Sequence, residues 1–214
     1  MDEKLQGLLL AVVGFFLILV VAPLASLTVL PLASSGCRII VASSIGDLPV
    51  LVAGGVVLAL TSPRIYEWRA KPRTLALLVL ASLAITIASS IALASYMRRT
   101  LITRIALACW PKAPWLMILM MLVISPVSEE ICFRGLIQHG LSRAIGAGKA
   151  LVVAALAFGL MHVISLGPLG ALIAFIQGLV LGAPILLWDS LPASILLHVV
   201  ANLPGVLSLI LGLA

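Results

Sequence analysis

Charge is the scarcest property of this 214-residue chain: Asp, Glu, Lys and Arg together supply 9% of it. Soluble domains carry about a quarter, so a water-soluble fold is excluded. With 63% hydrophobic residues and a mean hydropathy of +1.31, the chain reads as an integral membrane protein. Its apolar stretches are continuous rather than alternating, which excludes a transmembrane β-barrel. Cysteine is limited to Cys37, Cys109 and Cys132. The odd count, irregular spacing and lack of CxxC leave no readable disulfide framework or cysteine metal site, and three reduced thiols are expected. Few aromatics accompany the basic residues (Tyr66, Trp68, Tyr96, Trp110), so the formal charge of +6 does not indicate a nucleic-acid partner. No repeat of fixed period is present, and no HExxH zinc-protease signature.

What the chain does contain is a series of apolar runs, near residues 5–33, 39–62, 74–97, 115–138, 150–166, 169–188 and 191–213. Each is a helix candidate by length. The expected fold is all-α: a single bundle of about seven to eight transmembrane helices enclosing a buried polar active site. One transmembrane domain covers 1–214, with residues 115–205 as its motif-bearing core. The first run is far longer than a signal-peptide core and reads as an anchor that stays; Pro23 and Pro31 kink it or end it early. In the second run Asp47 caps a helix starting near Leu48, with Pro49 in its first turn, and 34–47 is a loop. A functional intramembrane Asp47 is the alternative.

The segment from Arg64 to Arg73 is basic and carries Tyr66 and Trp68, suited to the headgroup belt of the cytoplasmic face. The stretch 98–112 alternates charge with Ile and Leu, as an interfacial helix or short extra span does. Basic residues of this kind fall mostly between apolar runs, where they act as topology signals and contacts for anionic lipid. Gly178 and Gly182 form a GxxxG, a close-packing motif. Short loops and no targeting signal suit a prokaryotic plasma membrane.

Against this background a few ionisable residues stand out. Glu129 and Glu130 lie side by side within one run, with Arg134 four residues further on, and His162 and His198 each interrupt another. A charge near the bilayer centre costs about 2.5–3.5 kcal/mol on insertion scales, so five such groups on three segments imply one shared site. Glu130 and Arg134 are spaced i, i+4 in the order that favours an ion pair and form a structural lock. Glu129 is left unpaired, desolvated and beside another carboxylate, conditions that suit a general base. His198 and Asn202, again i, i+4, share one helix face and can bind a metal or donate to a developing oxyanion. Glu129, His162 and His198 supply a possible three-ligand zinc set with an open position. His139 is interfacial and outside the site, Asp189 is a turn or cap, and Gln177 faces either the cavity or a neighbouring helix.

Three motifs thus occur in order: Glu129-Glu130-x-x-x-Arg134, Phe158-x-x-x-His162 and His198-x-x-x-Asn202. Together they resemble the CPBP family of intramembrane proteases, which includes the type II CAAX prenyl endopeptidases and the Abi-type proteins. The resemblance spans roughly residues 115–205. It implies a peptidase in which Glu129 activates water with help from His162, and His198 and Asn202 bind the oxyanion. Glu130 and Arg134 take supporting roles. It leaves the cofactor as none or zinc, and implies membrane lipid and a peptide or prenylated protein substrate as partners. A transporter or proton relay, and a catalytically idle immunity protein, are the alternatives from other classes.

Overall fold

A computed structural model of the chain describes residues 2–29 and 37–213. The described residues are helical almost throughout. Six helices are long and apolar enough to cross a membrane: α1 (Glu3–Thr28), α2 (Val41–Thr61), α3 (Pro72–Ala92), α5 (Pro114–Ile145), α7 (Val163–Trp188) and α8 (Leu191–Ile210). Shorter helices include α4 (Leu101–Cys109) and α6 (Ala147–Met161). The expected seven to eight spans therefore resolve into six long helices plus the shorter apolar α6. α4 has nine residues, roughly 14 Å at 1.5 Å each, less than half the hydrocarbon thickness. It is not the extra span considered for 98–112. Pro31 and the end of the first run fall outside the described residues.

α5 is the centre of the bundle. Ile131, Cys132, Phe133, Arg134, Leu136 and Ile137 are all buried, and α1, α2, α6 and α8 pack around them. At 32 residues α5 is roughly 48 Å long, so its ends project beyond a hydrocarbon layer of about 30 Å. The paired acids sit at its midpoint. Two wide π-helical stretches, Met120–Ile124 and Ile131–Gln138, flank the turn Ser125–Glu130 that carries them. Pro126 explains the first. A proline ring clashes with the carbonyl four residues back, here Leu122, and a widened turn at that point relieves the clash. Pro23 follows Leu17–Val21 in α1 in the same way.

Close helix contacts come from glycine. α1 crosses the end of α5 at Gly7 and Gly140, where a Cβ on Gly7 would lie 2.3 Å from the Gly140 carbonyl oxygen. Gly178 of the GxxxG packs against Ala155 of α6, the close-packing role expected of it. α3 lies at the periphery, with Leu80 and Ile91 exposed, an apolar face suited to lipid.

Two expectations are corrected. Asp47 does not cap a helix start: helical backbone runs from Arg38 through Asp47 and Pro49 into α2, so 38–47 is not a loop. Residues 34–36 lie outside the described residues. Asp47 sits inside the helix because a polar partner on α5, the Ser125 hydroxyl, satisfies its carboxylate there. Secondly, Cys37 and Cys109 form a disulfide, leaving only Cys132 free and buried. The 72-residue separation gave no spacing signal; tertiary packing of α4 beside the start of the second helical run brings the two thiols together.

Candidate active site

The site is built on the α5 turn Ser125–Glu130 facing the first half of α8. Glu130 is sealed from solvent, as is Arg134, whose Nε lies 3.2 Å from Glu130 Oε2. One helical turn separates them, so the ion pair needs no tertiary movement to form. The other Glu130 oxygen, Oε1, accepts from His198 Nδ1 at 2.8 Å. With Nδ1 carrying the hydrogen, His198 turns its second nitrogen, Nε2, towards Glu129, 3.7 Å from Oε2. Arg134, Glu130, His198 and Glu129 thus form one continuous chain. Glu129 is the member with access: its side chain is 16% exposed against 0% for Glu130.

Phe158 of α6 organises the remaining members. The Arg134 guanidinium lies over its ring at 4.8 Å from the centroid, a cation–π contact that helps to offset burial of the charge. His198 meets the same ring edge-on at 5.8 Å, and His162 packs on it at 4.5 Å. The Phe158 carbonyl also accepts from His162 Nδ1 at 2.7 Å. That bond fixes the tautomer and leaves His162 Nε2 with a free lone pair. The Phe158-x-x-x-His162 spacing is therefore a hydrogen-bonding register as well as a packing one.

His162 stands where α6 ends, and the chain beyond it breaks again at Gly167, with φ of 70°. A Cβ at Gly167 would also run into the Tyr96 hydroxyl, which donates to the Leu166 carbonyl. Non-helical backbone at membrane depth is tolerated where protein or a cavity lines it. This broken connection between α6 and α7 supplies that lining next to His162.

Asn202 behaves differently from its partner on α8. Its Nδ2 donates to the Met121 carbonyl at 2.8 Å, within the wide turn ahead of Pro126. One amide hydrogen is thus committed to backbone and one remains. Asp47 is an addition that sequence reasoning set aside as a cap. Its Oδ2 accepts from Ser125 Oγ at 3.1 Å, and Ser125 is one turn before Glu129, on the same face. Glu129 accordingly feels the charges of Asp47, His198, Glu130 and Arg134. An Asp in the middle of an apolar run, considered with the proline beside it, was the available signal.

Among the described residues, no three His, Cys, Asp or Glu are gathered closely enough to hold a metal ion. Glu129, His162 and His198 are not gathered into such a group; each imidazole gives Nδ1 to a neighbouring acceptor and keeps Nε2, the nitrogen with which it would hold a metal. Outside the site, Gln177 donates to Ser82 of α3, so it joins helices, and His139 pairs with Asp189.

The order and placement of these side chains agree with a comparison of the chain with known families. Residues 111–204 match the type II CAAX prenyl endopeptidase Rce1-like family. Through this segment, somewhat under half of the chain, the protein is similar to the CAAX prenyl endopeptidase family. The matched region begins just before α5 and ends in α8, so it holds every motif residue named above. No curated protein and no solved structure matches the chain. The six long apolar helices fit an integral membrane protein, and the matched segment likens its second half to a family of prenyl endopeptidases.

Proposed function

We propose that the chain hydrolyses a peptide bond of a membrane-associated substrate, possessing a prenyl group in the CAAX case, with a water activated by Glu129. The observation that carries this is the unequal treatment of two adjacent acids. Glu130 is sealed and committed to Arg134 and His198. Glu129 keeps exposed surface and faces only the far nitrogen of His198. A general base has to reach water and be free to take a proton, and Glu129 alone meets both conditions.

In this mechanism Glu129 removes a proton from water as the oxygen attacks the scissile carbonyl carbon. Glu130, held ionised by Arg134, orients His198 through Nδ1. The second Asn202 amide hydrogen stabilises the oxyanion that develops, and His198 adds a donor at Nε2 when its ring carries a hydrogen on each nitrogen from the outset. The proton on Glu129 passes to the leaving amine, directly or by way of His162 Nε2, as the C–N bond breaks. Asp47 acts as a positioning residue: by gripping Ser125 it holds the proline-kinked turn from which Glu129 projects. A prenyl chain would lie between helices with its peptide reaching the midpoint of α5. A prokaryotic plasma membrane suits such a substrate route.

The test is cleavage of prenylated and plain peptides by purified protein in detergent. Glu129→Gln is expected to reduce kcat at least about 100-fold, within the range for loss of a general base, while leaving thermal stability unchanged. Undiminished turnover by that variant would refute the assignment.

A further inference from the structure

The last turns of α5 carry a second polar cluster, nine residues beyond Glu130 and so roughly 14 Å along the helix from it. Here a cleft of about 250 Å³ opens between the turn after α2 (Thr61, Ser62, Arg64), the end of α5 (His139, Arg143) and Asp189. Its side chains are interlocked. Arg143 Nη2 donates to Ser62 Oγ at 2.7 Å and lies 2.8 Å from His139 Nε2. His139 Nδ1 is 2.7 Å from Asp189 Oδ1. An arginine can only donate, so His139 Nε2 is the acceptor in this arrangement and Nδ1 carries the hydrogen given to Asp189. The guanidinium of Arg143 is thus oriented by a hydroxyl and a ring nitrogen, neither of them a carboxylate. Neither Arg143 nor Arg64 has a carboxylate within ion-pair distance among the described residues. The one acid at the cleft, Asp189, is occupied by His139, and the nearby Glu67 is taken by Arg69 at 2.7 Å.

These are two guanidiniums with no carboxylate in direct contact and with hydroxyls beside them, on a pinned turn and a helix end. Ser190 Oγ donates to the Glu67 carbonyl and Tyr66 donates to the Gly55 carbonyl, pinning the turn. Guanidinium groups bind phosphate oxygens bidentately. The cleft also lies where α5 leaves the hydrocarbon layer, and Tyr66 and Trp68, both exposed, have the character of headgroup-belt residues. We propose that this cleft binds a phosphate group through Arg64 and Arg143. The phosphate can be that of an anionic lipid headgroup or a free phosphate; the chemistry recognised is the same. The site is separate from the catalytic one and does not depend on the reading of Glu129.

The experiment is thermal unfolding of delipidated protein in neutral detergent at fixed ionic strength, with three additions. They are sodium chloride, inorganic phosphate, and mixed micelles of phosphatidylcholine with or without phosphatidylglycerol. Ligand at 100 times its Kd is expected to raise Tm by about 5–10 °C. A rise with inorganic phosphate that Arg64→Gln abolishes supports the proposal for free phosphate. A rise with phosphatidylglycerol alone, again lost in Arg64→Gln, supports it for the lipid headgroup. Arg143→Lys, which keeps charge but not the fork, is expected to bind at least tenfold more weakly. Equal shifts with chloride, equal shifts in Arg64→Gln and the parent protein, or no shift with either phosphate source would overturn it. Peptide cleavage by Arg64→Gln is expected at the parent rate, which shows that the variant is folded.

Discussion

Replacing Glu130 with Gln keeps the shape of the side chain and removes one charge. What remains is the Arg134 guanidinium, 0% exposed, with no ionised partner. The aromatic face of Phe158 is already in contact in the parent protein, so it offers no new compensation. Breaking a buried ion pair by deleting one member costs about 3–5 kcal/mol, because a bare charge is left in a low-dielectric interior. A chain of this size loses roughly 2–4 °C of Tm per kcal/mol, so Glu130→Gln is expected to unfold about 6–20 °C below the parent in the same detergent. The decisive arm is the double variant Glu130→Gln/Arg134→Met. Exchange of a whole buried pair for apolar groups is often neutral, so the double variant is expected to regain most of the lost Tm. Both proteins would lose cleavage activity, since His198 loses the ionised acceptor that orients it. A single variant within about 2 °C of the parent, or a double variant no more stable than the single, would refute the view that Glu130 and Arg134 act as a structural lock beneath Glu129.

Other expectations follow from particular contacts. Asp47→Asn and Ser125→Ala each loosen the turn holding Glu129, and a hydrogen bond to a charged group is worth about 1.5–3 kcal/mol. Steady-state kinetics should show kcat down by roughly tenfold with KM little changed; an unchanged kcat would remove Asp47 from the site. Gly140→Ala brings a Cβ within 2.6 Å of the Gly7 carbonyl oxygen, a backbone atom that cannot swing aside, at an expected cost of about 1–3 kcal/mol. Gly148→Ala, where nothing lies within 4 Å, is the control and should not lower Tm. Burial alone would raise the Asp189 carboxyl above its usual 3.8, but its hydrogen bond with His139 and the positive charges of Arg69 and Arg143 outweigh this and hold it lower. A depressed folded-state value stabilises above the unfolded-state value and is lost as pH falls through the folded one. Asp189→Asn should therefore lower Tm at neutral pH, by an amount that shrinks as the medium is acidified below about pH 3.8.

The sequence by itself determined the class of fold and pointed to the members of the buried polar cluster. Apolar run length is a one-dimensional property set by bilayer thickness, so six long helices and the shorter α6 were legible. The i, i+4 relations were legible too, because helix geometry fixes which residues share a face: the Glu130–Arg134 pair is one, and the Phe158 carbonyl within reach of His162 is another. Rare charges in lipid marked Glu129, Glu130, Arg134, His162 and His198 as one group.

Only the tertiary structure decided how those groups divide the work. Nothing along the chain says that His198 bridges both acids, that Asn202 commits a hydrogen to Met121, or that Phe158 is the common surface for Arg134, His162 and His198. These depend on the crossing of α5, α6 and α8. Asp47 was misread because cap and mid-helix positions share the same local chemistry, and the deciding partner, Ser125, is 78 residues away. The Cys37–Cys109 link was missed for the same reason. Local periodicity encodes which face a residue occupies; the neighbour on that face is chosen by packing between segments far apart in sequence.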